Sequence, residues 1–209
     1  MMKVGILVFD EVEVLDALGP FEVFSVANRL RRPDAGKNDP TFEVILISVD
    51  PNRTATARGG LRLSPDVSTE TAPDLDVLVV PGGVTSKVEM NDRLIAWLAA
   101  RTGTPMIASV CTGAFLLAMA GLLRGRRATT HWEDLPDLAR RFPDLEAVGD
   151  VRWTGDGRVW TSAGISAGLD LSLHLVEILA GRERAVATAR QMDYRWTATG
   201  TSGEVEIHV

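Results

Sequence analysis

Residues 105–117 read PMIASVCTGAFLL, and they join a predicted strand directly to a predicted helix. The apolar run after Pro105 is typical of a buried strand, and the following residues, rich in Ala, Leu and Met, predict a helix that ends near Ala120. Cys111, the only cysteine of the chain, falls where the strand turns into the helix without a loop. Such a turn holds its central residue in an unfavourable backbone conformation, at a cost of about 1–3 kcal/mol, and exposes its side chain as a nucleophile elbow does.

The position of Cys111 also predicts its chemistry. A thiol at a helix N-terminus lies near unpaired N–H groups and the positive end of the helix dipole, and both favour the thiolate. The alternative is that Cys111 is a small buried hydrophobic residue, as lone cysteines often are. The strand before it and the Thr-Gly pair after it favour the nucleophile.

The composition limits the class of protein. A chain of 209 residues, 45% hydrophobic and 24% charged, fits one α/β domain over residues 1–196 with a polar, loose tail over residues 197–209. A single cysteine excludes an internal disulfide, and a net charge of −6 argues against nucleic acid as a partner. The N-terminal apolar run is too short for a signal peptide, and no run of 18 apolar residues could span a membrane, so we expect a cytoplasmic protein.

Strands and helices alternate along most of the chain. Three nearly continuous apolar runs predict parallel strands that are covered on both faces, at residues 3–9, 42–49 and 76–80. Residues 52–64 and the hairpin signal around 155–157 predict β-hairpin additions, and residues 31–40 predict a polar loop. The pattern predicts a doubly wound α/β sandwich with a mostly parallel sheet.

Several marked residues are predicted to lie at the carboxyl ends of strands, where open α/β sheets bind their ligands. Gly82 and Gly83 end one strand, Cys111 ends another, His131 ends a third, and Asp16 follows the first strand by one loop. This convergence predicts a site for a small-molecule substrate. Three scattered histidines without ligand spacing do not indicate a metal, and no cofactor is expected.

Each of these residues has more than one interpretation. The glycine pair can be a plain tight turn, or its amides and that of Thr112 can form an anion-stabilising pocket beside the sulfur. Asp16 can cap its helix, or it can share one proton with Cys111 and pass it to a substrate. His131 can be a base or a packed structural residue.

Thr112 and Ser166 are two further candidate residues. Thr112 follows the cysteine at a position where a histidine could activate the thiol, but a hydroxyl can only hydrogen-bond near neutral pH. Ser166 is predicted to cap the helix that it precedes, with small neighbours that let the helix end come close to the site.

Taken together, five segments resemble the DJ-1/PfpI superfamily, in the right order and over most of the chain. They are Leu15-Asp16 with Gly19-Pro20-Phe21-Glu22-Val23, Val80-Pro81-Gly82-Gly83, residues 108–114, residues 129–132 and residues 161–168. The Cys-Thr-Gly elbow and the N-terminal aspartate are similar to the isonitrile hydratase branch. They are also similar to the ligand-sensing domain of AraC-type transcription regulators.

The resemblance implies a flavodoxin-like fold, usually a homodimer, with a catalytic cysteine at Cys111, an acid/base carboxyl at Asp16 and a supporting hydroxyl at Thr112. Protease members of the superfamily carry histidine directly after the cysteine, and many DJ-1-like members carry glutamate as the acidic partner. Those differences argue against a peptidase. The leading expectation is hydration of an isonitrile to an N-substituted formamide; the alternatives are a small-molecule or redox sensor and a glyoxalase-like enzyme with His131 as base.

Overall fold

The computed structural model describes residues 1–30, 42–50 and 54–200. Their strands, in chain order, are β1 (Met2–Val8), β2 (Phe42–Ser48), β3 (Ala55–Thr56), β4 (Arg62–Leu63), β5 (Val67–Ser68), β6 (Val77–Val80), β7 (Met106–Val110), β8 (Arg127–Ala128), β9 (Glu146–Ala147), β10 (Trp153–Asp156) and β11 (Val159–Ser162). The helices are α1 (Val14–Arg29), α2 (Ser86–Glu89), α3 (Asp92–Ala99), α4 (Gly113–Met119), α5 (Leu135–Arg141), α6 (Ala167–Ala180) and α7 (Arg182–Gln191).

Seven of the strands form the central sheet, in the order β10-β11-β7-β6-β1-β2-β5. Its pairs are parallel except β10 with β11, which form the hairpin predicted around residues 155–157. Helices α1, α6 and α7 pack together on one face, and α2, α3 and α4 pack on the other. This is the doubly wound α/β sandwich that the alternation of apolar segments predicts, and it is the flavodoxin-like fold that the resemblance implies.

The central strands are buried along their whole length. Every residue of β6 and β7 is buried, because helices cover both faces of a parallel sheet. The continuous apolar runs seen in the sequence therefore mark the middle of the sheet. The carboxyl ends of β1, β6 and β7 come together at one edge, and the candidate residues follow those ends.

The structure corrects three local predictions. Helix α1 begins at Val14, so Asp16 lies in its first turn and not at the capping position before the helix, which Glu13 occupies. Strand β8, expected to join the central sheet, instead pairs with β9 in a separate two-stranded sheet. A short strand with few apolar residues cannot be assigned to a sheet from its own pattern.

The third correction concerns residues 197–200 of the predicted loose tail, whose remaining residues 201–209 lie outside the described residues. The Thr197 N–H donates a 2.8 Å hydrogen bond to Asp170 Oδ1, and the Gly200 carbonyl accepts a 2.7 Å bond from the Arg152 N–H. The chain is therefore fastened to the domain as far as Gly200, through polar contacts that leave no periodic apolar pattern.

Of the other predictions, the hairpin in residues 52–64 is confirmed by the antiparallel pairing of β3 with β4. The loop predicted at residues 31–40 lies outside the described residues. No helix within the described ranges is long and apolar enough to cross a membrane.

Candidate active site

Cys111 sits in a strained elbow, as its sequence context predicts. It lies between the end of β7 and Thr112, the residue before α4, and its φ of +56° falls in the left-handed region that non-glycine residues rarely adopt. Its N–H donates to the Ser162 carbonyl at 3.1 Å, and its carbonyl accepts from the Thr130 hydroxyl at 2.8 Å. These two bonds to neighbouring segments hold a conformation that costs about 1–3 kcal/mol on its own.

The elbow also depends on a close backbone contact. A side chain on Gly113 would place its Cβ 2.1 Å from the Val80 carbonyl oxygen. The first turn of α4 therefore packs directly on the end of β6, which explains the glycine two residues after the cysteine.

Asp16 is buried beside this elbow. Its exposed fraction is 0%, and its Oδ2 accepts a 3.1 Å hydrogen bond from the Gly82 N–H. Its Oδ1 has no partner of normal hydrogen-bond geometry among the described residues. A buried carboxyl oxygen left without a partner is costly, and a catalytic role is one of the explanations for such a group. The interpretation of Asp16 as a helix cap is wrong, because its side chain is directed to the β6 end.

Burial raises the pKa of Asp16 to about 7, and the negative charge of Glu13 adds to the rise. The Gly82 N–H, the Cys111 thiol and the Ile165 N–H oppose that rise, since each stabilises the carboxylate. The thiol and the carboxyl are therefore within electrostatic reach of one another, as the resemblance implies.

We expected the helix terminus to favour a thiolate at Cys111, but the structure favours the protonated thiol. Burial, followed by the charge of Asp16, raises the pKa of Cys111 to about 12, although the N–H and the hydroxyl of Thr112 lower it. Cys111 retains only 8% exposure, so the loss of solvation outweighs the helix terminus. Above about pH 7 the pair holds one proton, on the sulfur, beside a charged carboxylate that can accept it.

One of our two predictions was that the amides of Gly82 and Gly83 form an anion-stabilising pocket. The structure does not agree, because both amides already donate hydrogen bonds within the protein. The Gly82 N–H is engaged with Asp16, and the Gly83 N–H donates to the Thr112 hydroxyl at 2.9 Å. A Cβ on Gly82 would lie 2.5 Å from the Thr112 nitrogen and 3.0 Å from the Cys111 Cβ. The pair therefore fixes the acid and the elbow against each other.

His131 lies at the edge of the site. The hydrogen bond from the Thr130 hydroxyl to the Cys111 carbonyl holds the residues before His131 against the elbow, although β8 is not in the central sheet. The His131 Nδ1 is 3.7 Å from the Asp134 carboxylate, and a Cβ on Gly164 would come within 2.2 Å of the ring. Asp134 also raises the pKa of Cys111, so its charge reaches both side chains.

Ser166 occupies the position before α6, but its hydroxyl has a different role from the predicted cap. It accepts hydrogen bonds of 3.4 Å from both terminal nitrogens of Arg152, and Arg152 also pairs with the buried Asp170. Asp170 lies in the first turn of α6, where a carboxylate also interacts favourably with the helix dipole, and no local pattern in the sequence marks Arg152 as its partner. No three His, Cys, Asp or Glu side chains in residues 1–30, 42–50 and 54–200 are grouped as a metal ion would need.

Comparison with known proteins agrees with this geometry. Residues 2–178 match the DJ-1/PfpI family. The chain belongs to this family. It is 34% identical over 197 residues to isonitrile hydratase from Pseudomonas putida, a match covering 92% of this chain and 78% of that relative.

Other DJ-1/PfpI relatives are regulators. The chain is 30% identical over 193 residues to the HTH-type transcriptional regulator GbdR of Pseudomonas aeruginosa, and it spans half the length of that protein. Among solved structures, a THiJ/PfpI family protein from Pseudomonas syringae superposes with a TM-score of 0.80 at 28% identity, covering 92% of this chain and 75% of the other. The family thus includes both enzymes and regulators.

Proposed function

We propose that this protein is an isonitrile hydratase-like lyase that converts an isonitrile to an N-substituted formamide. The observation that carries the proposal is the buried Asp16 carboxyl, held by the Gly82 N–H beside the strained Cys111. Identity of 34% to an isonitrile hydratase over 92% of the chain supports the same reaction.

The first step forms a carbon–sulfur bond. Asp16 takes the thiol proton as the Cys111 sulfur attacks the terminal carbon of the isonitrile, and it then gives that proton to the same carbon. The product is a thioimidate on Cys111, and the carboxylate is regenerated. The unpartnered Oδ1 of Asp16 is the atom available for this transfer, because Oδ2 is held by the Gly82 N–H.

The second step releases the product. Asp16 removes a proton from a water molecule as the water oxygen adds to the thioimidate carbon, and it gives that proton to the substrate nitrogen. The carbon–sulfur bond then breaks as the hydroxyl on that carbon becomes a carbonyl, the hydroxyl proton passes to the sulfur through Asp16, and the N-substituted formamide leaves. Cys111, Asp16 and water supply every atom and every proton that this sequence requires.

Four exposed apolar side chains each adjoin a site residue in sequence: Leu15, Val84, Trp132 and Ile165. An apolar substituent on the isonitrile nitrogen that contacts them would be partly removed from water, at about 25 cal/mol per Å² of buried apolar surface.

A second candidate is a ligand-sensing module. The 30% identity to a transcriptional regulator over 92% of the chain favours it, because the same elbow can bind a small molecule without turning it over. A glyoxalase-like activity on α-oxoaldehydes is the third, with His131 as base. A cytoplasmic homodimer remains a prediction, and light scattering after gel filtration tests the assembly.

One panel assay separates these functions. Isonitriles and α-oxoaldehydes are offered to the wild type, Cys111→Ala, Asp16→Asn and His131→Ala, with formamide and hydroxy acid quantified. We expect formamide from the wild type, none from Cys111→Ala and almost none from Asp16→Asn. Undiminished formamide from Cys111→Ala would contradict the covalent mechanism, saturable binding without turnover would favour the sensor, and α-oxoaldehyde turnover that depends on His131 would favour the glyoxalase.

A further inference from the structure

A buried ion pair lies behind the candidate site. Asp170, in the first turn of α6, has an exposed fraction of 0%, and its Oδ2 accepts a 2.7 Å hydrogen bond from Arg152 Nε and a second bond from a terminal nitrogen of Arg152. A buried carboxylate is tolerated when it is paired and hydrogen-bonded in this way. The pair is part of no step in the proposed reaction.

The C-terminal segment encloses this pair. The Thr197 N–H donates to the other carboxyl oxygen of Asp170 at 2.8 Å, and the Trp196 indole N–H donates to the Asp170 carbonyl at 3.2 Å. The Arg152 N–H is in turn bonded to the Gly200 carbonyl at 2.7 Å. The guanidinium is therefore fixed in place from several sides.

From this fixed position Arg152 reaches the turn that borders the active site. Both of its terminal nitrogens donate to the Ser166 hydroxyl at 3.4 Å, and the Tyr194 hydroxyl lies 3.5 Å from the Ser166 carbonyl. The residue before Ser166 is Ile165, whose φ of +52° is a genuine outlier for a β-branched side chain. Strained residues of this kind persist only where their surroundings hold them.

The same turn affects Asp16. The Ile165 N–H lies close enough to this carboxyl to lower its pKa, as the Gly82 N–H and the Cys111 thiol also do, and among the described residues only the Gly82 N–H forms a hydrogen bond of normal geometry with it. Glu13, on the chain just before Asp16, acts in the opposite sense. A shift of the turn would remove one of the groups that favour the carboxylate.

We propose that Arg152 and Ser166 are positioning residues, which hold the strained turn at Ile165 so that its amide faces Asp16. The inference deepens the proposed function, since it concerns the same Cys111–Asp16 pair. Asp170 and the segment up to Gly200 act through Arg152, which explains why a polar C-terminal segment is fastened to the domain.

The test uses Cys111 as its own reporter. Because the chain has one cysteine, the rate of alkylation by iodoacetamide measures the sulfur of the pair without any isonitrile. The rate in the wild type should rise with pH and level off near the pKa of Asp16, because above it each proton lost from the sulfur can be taken up by the carboxylate. A weaker acid at Asp16 moves the levelling point to higher pH and raises the plateau.

The variants are Ser166→Ala and Arg152→Lys, each with a matched control. Ser166→Thr keeps the hydroxyl, and Arg29→Gln breaks an exposed ion pair with Glu22 at the far end of α1. We expect Ser166→Ala and Arg152→Lys to be alkylated about threefold faster than the wild type at pH 8.5 and at the wild-type rate at pH 5. Both controls should follow the wild-type curve.

A purely structural role predicts a different result. Variants that only lose stability would melt at a lower temperature, with a pH profile of alkylation that superposes on that of the wild type. That superposition in Ser166→Ala, which removes one exposed hydroxyl, would overturn the proposal even if Arg152→Lys failed to fold. A failure of the hydration reaction would leave this test unaffected, so the two proposals can fail separately.

Discussion

The Thr112 hydroxyl is bonded to both backbone polar groups of Gly83: it accepts from the N–H at 2.9 Å and donates to the carbonyl oxygen at 2.9 Å. The residue after the nucleophile thereby ties the elbow to the loop that follows β6. The same hydroxyl lowers the pKa of Cys111. Thr112 thus holds the elbow against this loop, and the supporting role in catalysis that the resemblance implies stays a prediction.

Replacing Thr112 by Val should break this link. Valine has nearly the same shape but leaves both polar groups of Gly83 without their partner, so we expect the free energy of unfolding to fall by about 1–3 kcal/mol. Urea denaturation measures the loss, and Thr112→Ser, which keeps the hydroxyl, is the control. Equal stability of the Val and Ser variants would show that the two bonds do not support the elbow.

Gly82→Ala should damage the site through a clash. The added Cβ would lie 2.5 Å from the Thr112 nitrogen, so the loop must move away from the elbow and the Gly82 bond to Asp16 must lengthen. We expect a loss of stability of about 1–3 kcal/mol and a fall in turnover of at least about tenfold.

The control for this clash is Gly103→Ala, at a position with no atom within 4 Å of the added Cβ. It should leave turnover and melting temperature near the wild-type values. Full turnover in Gly82→Ala would contradict the packed arrangement of the loop and the elbow.

Asp16 should make stability depend on pH. Its pKa is about 7 in the folded protein and near 3.8 when unfolded, so stability is fully present below about pH 4 and is lost as the pH rises to about 7. Asp16→Asn removes this dependence, and it should therefore gain up to about 4 kcal/mol over the wild type at pH 8, and much less at pH 4. Urea denaturation at the two pH values measures the difference, and a gain that does not change with pH would contradict the raised pKa.

Turnover should also follow the ionisation of this pair. The reactive form has one proton on sulfur and a charged carboxylate, so kcat/KM should rise with pH up to a plateau with an apparent pKa near 7. Initial rates on an isonitrile between pH 5 and pH 9 provide the measurement. A rate that falls across this range would assign the reaction to the protonated acid.

Local patterns in the sequence predicted the parts of this site that depend on local structure. The strand–turn–helix at Cys111 is formed by consecutive residues, so its pattern can be recognised in the sequence. The order of the apolar segments predicts that Asp16 and Gly82 lie at the same edge of the sheet. The partners of polar groups could not be predicted in the same way. Gly82 bonds to a carboxyl 66 residues away, and Arg152 meets Asp170 only because α6 returns to the end of the β10–β11 hairpin.

The protonation state of Cys111 could not be predicted from the sequence either. The helix terminus was visible and predicted a thiolate, but the loss of solvation that raises the pKa depends on how closely the surrounding elements pack. The interpretation of Asp16 as a helix cap was wrong for a similar reason, since the burial of its side chain and its contact with the β6 end depend on the tertiary structure.

The central claim, that Cys111 and Asp16 share one proton, is tested most directly by alkylation of the single cysteine between pH 5 and pH 9 in the wild type and in Asp16→Asn. We predict that the wild-type rate levels off near pH 7, whereas the Asp16→Asn rate keeps rising by about tenfold per pH unit, because the charge that raises the pKa of Cys111 is gone. The variant should therefore be alkylated faster than the wild type at pH 8.5 although it has lost turnover. Parallel curves for the two proteins would contradict the shared proton and the mechanism built on it.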